Sequence, residues 1–358
     1  MPIYMDRHDV SAEVTAEHVA HLHQQDLNVQ DKHHCKALTY WFDDDRKTAF
    51  CLVEAPNKEA MIAMHDEAHG KIPSEIIEVE KSIVESFLGR IEDPVKAINN
   101  ELNIINDPAF RVVLEIKFAG IHKIASLKKF FLGHKIDFES NISKFKGRIV
   151  HIDAEDLLIS FTDVSSAMEC ATTLKNNFEN DKVVTMAICA GVPITEQNGF
   201  FEKVIAEANK MCVIESDKII ISSEVEALYE SANLNRSVDA NSFYVLQKGE
   251  MQFLSELMAI TNAKFGNDAF TSNDFYVELH LSKSQFYRKI TRLFGKSPNQ
   301  FLKEYRLQQS ISLLRSTEKN VSEIAFLVGF KSQSHYSKSF QHLFAISPTA
   351  FKASLREN

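Results

Sequence analysis

Apolar and polar residues in the first 92 positions recur in turn at strand spacing and at helix spacing. The predicted elements are, in order, strand 2–10, helix 14–33, strands 37–45 and 48–55, helix 57–70 and strand 72–80. Asn57 is suited to begin the second helix, and Gly70 is suited to end it. The pattern predicts an α+β sandwich in which helices cover one face of an antiparallel sheet.

Residues 93–109 are predicted to form a helical linker that ends at Pro108. Residues 110–248 again alternate apolar runs with helical patterns, which predicts a second α+β domain. Its predicted elements are strand 110–120, helix 121–147, a hairpin over 149–161, helix 165–180, strand 183–194, helix 200–214 and strand 218–223.

Residues 250–358 contain short helical blocks and almost no β-branched runs, which predicts an all-α domain. Asn320 precedes Glu323 by three residues, the spacing of a capping box that begins a helix. Gly329 can adopt positive φ and end that helix, and a second helix is expected to begin near Ser332. This pattern is typical of a helix-turn-helix, whose second helix lies in the DNA major groove.

The second helix of this unit has Tyr336, Phe340 and Phe344 at i, i+4, i+8, which predicts one buried face and one polar face. Residues 274–307 repeat the pattern and predict a first helix-turn-helix unit. The residues predicted to face outward are Ser284, Gln285, Arg288 and Lys289 in the first unit, and Gln333, Ser334, His335 and Lys338 in the second. A helix over 299–316 is expected to hold the two units as a rigid pair.

Charge is distributed unevenly along the chain. The 358 residues carry a formal net charge of −9, yet residues 251–358 hold 14 basic against 8 acidic side chains. A basic segment on an acidic body favours a module that binds a polyanion. Five scattered cysteines form no CxxC pair, no signal core is present, and no apolar run approaches the roughly 18 residues of a membrane span. We therefore expect a cytoplasmic protein with reduced thiols and no membrane partner.

The C-terminal segment resembles the DNA-binding domain of AraC/XylS family regulators. The motifs that carry the resemblance are SKSQFYRKI at 282–290, GFKSQSHYSKSF at 329–340 and SPTAFK at 347–352. The resemblance implies that the outward residues named above meet double-stranded DNA, with Lys289 and Lys338 on phosphate, and that RNA polymerase is a further partner. Tyr276 departs from the family pattern, which has a small residue such as Ala325 there, so the first unit is expected to pack differently.

Histidines concentrate near the N-terminus, where eight of the 14 lie within residues 1–69. His65 and His69 are four residues apart on a predicted helix and project from one face. With Cys51 and His8 they form a donor set compatible with nickel, zinc, cobalt or copper. The alternative is that these histidines are ordinary surface or core residues.

Residues 1–90 resemble a family of small bacterial ferredoxin-like nickel-binding proteins that pair as dimers. PIYMDRHDV, LTYWF, FCLVEAP and HDEAHGKIPSEIIEVE carry the resemblance. It implies Ni2+ or another divalent transition metal as cofactor, and the positions shared with the family are His8, His23, Cys51, His65 and His69.

Residues 110–248 resemble a class III nucleotide cyclase domain in their order of elements. The metal-binding carboxylates of that family are replaced by Lys117 and by Ala154-Glu155-Asp156, and its Asn and Arg by Ala206 and Lys210. These departures argue against catalysis, because two metal ions need their carboxylates. The segment is expected to act in dimerisation, to hold a ligand, or to be a spacer.

These patterns predict a multidomain α+β protein with two ferredoxin-like sandwich domains followed by an all-α double helix-turn-helix domain. The predicted domains are 1–92, 110–248 and 250–358, with 93–109 as linker. The predicted function is a homodimeric transcriptional regulator of AraC/XylS type that responds to a divalent metal and is not an enzyme. Two alternatives are a nucleotide cyclase-related or nucleotide-binding protein with a DNA-binding tail, and a metal-storage protein that its tail tethers to DNA.

Overall fold

A four-stranded antiparallel sheet with the order β2-β3-β1-β4 begins the chain. The computed structural model describes residues 1–94, 102–118, 138–152, 156–177, 184–195, 199–234 and 236–355. The elements of this first sheet and its helices are β1 Ile3–Asp9, α1 Ala16–Val29, β2 Lys36–Asp43, β3 Thr48–Glu54, α2 Lys58–His69, β4 Glu75–Val79 and α3 Lys81–Leu88. All six elements predicted for residues 1–80 are confirmed.

Strand alternation gives this sheet two buried faces. Tyr4 packs into the cluster beneath α1 and α2, whereas Met5 packs on the opposite side with Phe87 of α3. Asn57 caps α2 by accepting a hydrogen bond from Ala60 N, and Gly70 ends the helix at φ +68°. Because Asp6 and His8 share the side of Tyr4, both lie under the two helices.

The second sheet has six strands in the order β10-β9-β8-β5-β7-β6. Its elements are β5 Arg111–Phe118, α4 Phe138–Lys144, β6 Arg148–Ile152, β7 Asp156–Phe161, α5 Val164–Asn177, β8 Val184–Gly191, α6 Glu202–Met211, β9 Ile219–Ser222, α7 Ser223–Ala232 and β10 Phe243–Leu246. Four of its strands, β8-β5-β7-β6, repeat the order of the first sheet. The remaining pair, β9 and β10, add in parallel beyond β8.

The structure corrects two sequence predictions for this region, and a third lies partly outside the described residues. The prediction missed α7 and β10, because β10 is a four-residue strand with little periodicity. Of the predicted helix 121–147, the part up to 137 lies outside the described residues. The linker predicted as helix over 93–109 is not helical at 93–94 or 102–109. The Tyr40 hydroxyl instead donates to Asn103 O and accepts from Ile105 N, which satisfies these backbone groups without a helix.

The described part of residues 250–358 is helical and contains no strand. Its helices are α8 Lys248–Lys264, α9 Ser272–Glu278, α10 Lys283–Phe294, α11 Pro298–Ser316, α12 Val321–Leu327, α13 Gln333–Phe344 and α14 Pro348–Ser354. We call α9 and α10 the first unit, and α12 and α13 the second unit. The turn between the helices has positive φ in both, at His280 (+52°) and at Gly329 (+80°). Both units are also followed by a Ser-Pro helix start, at Ser297 and Ser347.

The two units have separate apolar cores. Phe275, Phe286 and Ile290 of the first unit belong to the cluster that also contains Ala208 and Met211 of α6. The second unit packs Tyr336 and Phe340 in a separate cluster, whose described members all come from the C-terminal region. Among the described residues, none of the helices is long and apolar enough to cross a membrane.

Candidate nucleic-acid interface and metal centre

The second helix of the first unit, α10, presents a polar face to solvent. Ser282 caps it, accepting from Gln285 N, while Gln285 Oε1 accepts from Ser282 N in return. Ser284, Gln285 and Arg288 are exposed, as predicted. Lys289 is half-buried instead, because its ammonium lies 4.8 Å from the ring centre of Phe253 on α8.

The corresponding helix of the second unit, α13, has the same design. Ser332 accepts from His335 N at its start. The predicted outward residues Gln333, Ser334, His335 and Lys338 are all exposed. The His335 ring lies edge-on to Phe330 at 5.4 Å, so the turn holds its orientation.

Exposed residues that were not predicted lie beside the predicted set. Tyr287 is 53% exposed on α10, and Lys283 at its first turn is also exposed. Both were visible as outward positions of the same helical pattern. Tyr276, the departure from the family pattern, is half-buried at the edge of the large core, whereas Ala325 is fully buried. The two units therefore pack differently at this position.

Strands β1 and β3 bring together the first group of possible metal ligands. Asp6 pairs with Cys51 in the strand register, and His8 lies two residues along on the same face. One donor atom from each of these three residues lies within 4.8 Å of the others. The Asp6 carboxylate accepts from Cys51 N at 2.8 Å and lies 3.2 Å from His8 Nε2. Burial raises the pKa of the Cys51 thiol well above its usual range, and the nearby Asp6 adds to this effect.

Helices α1 and α2 supply a second group, Asp26, His65 and His69, of the same compactness. His65 lies between two buried carboxylates, with Nδ1 2.9 Å from Asp26 and Nε2 2.8 Å from Asp6. Burial alone would lower the pKa of His65, but the two carboxylates raise it to about 10. His65 Nε2 thus joins the two groups through Asp6, and the six side chains lie between the two helices and the sheet.

His23 is separate from both groups. Its Nε2 lies 3.1 Å from Asp93 Oδ2, and its ring packs against Tyr40. In the part of the chain that the structure describes, no group forms a hydrogen bond with its buried Nδ1. His23 nevertheless lines the cavity of about 670 Å³ that His8, Cys51 and His69 also line. It is therefore within the walls of the site without being in its compact donor groups.

Asp6 and Asp26 were not among the predicted ligands, which were all histidine or cysteine. Both carboxylates are almost fully buried, at 0% and 2% exposure. Burial alone would raise the pKa of Asp6, but His8 and His65 bring it below its usual range. The available signal was Asp6 two residues before His8 on a predicted strand.

The middle region places its cyclase-like positions as follows. Lys117 pairs with Asp156 in the register of β5 and β7, so an ammonium group neighbours the one described acid of that turn. Ala154 and Glu155 lie outside the described residues. Lys210 of α6 donates to Ser255 Oγ of α8 at 3.4 Å. Lys210 thus contributes to packing between two helices.

Comparisons with known proteins match both ends of the chain. Residues 277–354 match a family model described as a helix-turn-helix domain, and residues 4–79 match one described as nickel responsive protein SCO4226-like. Histidine kinase P4 of Formosa agariphila is 33% identical over 101 residues, covering 28% of this chain and 7% of the kinase. The uncharacterized HTH-type transcriptional regulator YdeC of Bacillus subtilis is 36% identical over 72 residues, covering 20% and 25% of the two chains.

One solved structure represents the N-terminal match. SCO4226 from Streptomyces coelicolor A3(2) is 32% identical, with 22% of this chain and 94% of that chain covered and a TM-score of 0.21. The chain spans a quarter or less of the length of the two curated relatives above. The C-terminal region thus matches a helix-turn-helix domain family, and the N-terminal region is similar to nickel-responsive SCO4226-like proteins.

Proposed function

We propose that this protein is a sequence-specific DNA-binding transcriptional regulator in which two helix-turn-helix units read two neighbouring stretches of major groove. The observation that carries the proposal is the duplicated unit, with two capped helices whose polar faces are exposed. Arg288 suits a guanine edge, Gln285 and Gln333 suit adenine, and Lys338 suits phosphate. Lys289 also suits phosphate, and reaching it requires its ammonium group to move away from the ring of Phe253.

The test of DNA reading is selection of bound duplexes from a randomised pool, followed by competition of the selected duplex against bulk DNA. We expect the selected sequence to bind at least about 1,000 times more tightly, the lower end for specific readers. Affinity should also fall steeply with salt, because phosphate neutralisation releases counterions. Equal competition by bulk DNA would contradict regulation and favour the metal-storage alternative.

The N-terminal domain is proposed to have the ferredoxin-like fold and to bind a divalent transition metal, with nickel first. The fit rests on the donor chemistry: a buried thiol, imidazoles and carboxylates within one cavity suit borderline metals. Cys51, His8 and Asp6 would hold such an ion, and Asp26, His65 and His69 could supply further donors. When bound, the metal would supply positive charge that attracts the carboxylates of Asp6 and Asp26. The Asp93 carboxylate would orient the imidazole ring of His23 in the wall of the cavity.

Calorimetry of the full chain with nickel, zinc and cobalt tests this site. We expect Cys51→Ser to weaken binding by at least about tenfold, the usual effect of losing one ligand or its support. Cys35→Ser is the matched control, because Cys35 is a buried thiol of the same domain outside both donor groups. No binding by the wild-type chain would remove the metal proposal and leave DNA reading untouched.

The domain limits 1–92, 110–248 and 250–358 are part of the same proposal, as are a homodimer, a cytoplasmic location and contact with RNA polymerase. We assign no enzymatic activity to the chain, which is consistent with relatives named as transcriptional regulators. The cyclase-related alternative is not favoured, because Lys117 stands where a metal-binding carboxylate is needed. Incubation with ATP or GTP and manganese should yield no cyclic nucleotide.

A further inference from the structure

One helix carries both DNA-reading units, and their cores divide along it. Phe301 and Leu302 of α11 belong to the core of the first unit, and Leu307 and Ile311 belong to that of the second. Only about one helical turn therefore separates the two cores. The helix alone does not determine how the other helices of each unit pack against it, so contacts outside α11 also set the relative position of the two units.

Arg306 lies on α11 between the two cores and binds the loop that joins α8 to α9, residues 265–271. Its Nε donates to Phe265 O at 2.7 Å. Its Nη2 donates to Asn267 O at 2.8 Å and to Phe270 O at 2.9 Å. One guanidinium thus holds three carbonyl groups of this loop through two nitrogens of its planar array of donors.

The same loop contacts both units. Phe270 packs in the core of the first unit, where its ring lies 4.8 Å from that of Phe275. Phe265 packs against the core of the second unit. A loop that contributes one aromatic side chain to each core is suited to fix their relative position.

Close backbone contacts also connect the loop 265–271 to the second unit. A Cβ atom on Gly329 of the second unit would lie 2.3 Å from Phe265 O, and one on Gly266 of the loop would lie 2.7 Å from Leu327 O. Gly329 also has φ +80°, so glycine is required there on two grounds. The loop and the second unit therefore approach more closely than any side chain would allow.

From this arrangement we infer that Arg306 and the loop 265–271 set the distance between the two reading helices, and thereby make the spacing of the two DNA half-sites a determinant of specificity. This inference rests on the proposed function. One inserted base pair moves the second half-site by about 3.4 Å along the duplex and about 35° around it, so a fixed pair of helices cannot follow both. Arg306 is a positioning residue in this role, since its donors are engaged with the loop.

The experiment uses the full chain and the duplex selected above, with one base pair inserted or deleted between the half-sites. For the wild type we expect each change to lower affinity by at least about 100-fold, the loss of one half-site's contacts. Arg306→Ala should reduce that penalty to below about tenfold while binding the original spacing less tightly. Gly266 is exposed and has no positive φ, so Gly266→Ala should push the loop away from the second unit and shift the preferred half-site spacing.

Lys303→Ala is the matched control, because it removes an exposed positive charge from the same helix without touching the loop. It should keep the wild-type spacing penalty. An unchanged penalty in both folded test variants, or loss of folding in both, would overturn the inference and leave sequence-specific binding intact. Failure of the wild type to prefer any sequence would instead overturn the proposed function.

Discussion

The two helix-turn-helix units share a helical plan but differ in what surrounds them. The first unit shares one apolar cluster with the six-stranded sheet and α6, whereas the second has its own core. Ion pairs follow the same division. Lys296, just after α10, lies 2.7 Å from Glu215 of the middle region, and Arg292 lies 3.0 Å from Glu250 of α8. The second unit has no ion pair to the rest of the body among the described residues.

This difference indicates how a signal would reach DNA. Among the described residues, the first unit packs in the core of the body, whereas α11 and the loop 265–271 link the separate core of the second unit to it. The N-terminal domain connects to the same body, because the buried Arg111 of β5 donates to Phe87 O and Leu88 O at the end of α3. We therefore expect the first unit to respond to a signal from the body and the second unit to follow it.

The largest expected effect on stability comes from truncating one large buried side chain in the core of each unit. Phe340→Ala should destabilise the second unit by about 3–5 kcal/mol and leave the rest of the chain folded, because no other core includes it. Phe286→Ala, at a buried position of α10, should destabilise the first unit and the middle region together. Amide hydrogen exchange resolved by region checks both. Equal loss of protection in both units from either variant would contradict separate cores.

A second comparison uses equivalent positions of the reading helices. Arg288→Ala should cost about 1–3 kcal/mol and relax preference at one base pair, the usual value of a bidentate base contact. Lys338→Ala should weaken binding to all sequences alike and reduce the salt slope by about one. Affinities for a panel of single-base variants at several salt concentrations distinguish the two. Uniform weakening by Arg288→Ala would place that side chain on phosphate.

Nickel should affect the first unit more than the second. We expect saturating nickel to slow amide exchange in α9 and α10 more than in α12 and α13, and to change DNA affinity by about 5- to 150-fold, the usual range of such coupling. Cys51→Ser should move both effects to nickel concentrations at least about tenfold higher, and the control Cys35→Ser should show them at the wild-type concentrations. Equal changes in the two units would show that the signal does not travel through the shared core.

The smallest expected effect concerns one hydrogen bond of the second core. The buried Tyr336 hydroxyl donates to Ser310 Oγ at 3.0 Å, while Ser310 donates to Leu307 O. Tyr336→Phe should cost about 1 kcal/mol, because the serine keeps its other partner. Thermal unfolding followed in the second unit measures it. A cost above about 3 kcal/mol would mean that the hydroxyl holds more than this bond.

Features that depend on neighbouring residues could be predicted from the sequence, whereas contacts between distant parts of the chain could not. Helix starts at Asn320 and Ser332 were predictable, since a cap depends on residues three apart. Asp6 and Asp26 became candidate ligands only because two helices bury them against a strand. Arg306 looked like one more surface arginine, because its partners lie about 40 residues earlier in the chain. The exposed polar faces of α10 and α13 were thus predictable, and the contacts that hold the two units together were not.

Hydroxyl-radical footprinting of the full chain on its selected duplex tests the central claim most directly. Two units held by one helix should protect two patches on one face of the DNA, about one helical turn apart, and the pattern should be the same for every bound duplex. A single protected patch, or two patches whose separation varies from one duplex to the next, would contradict the account.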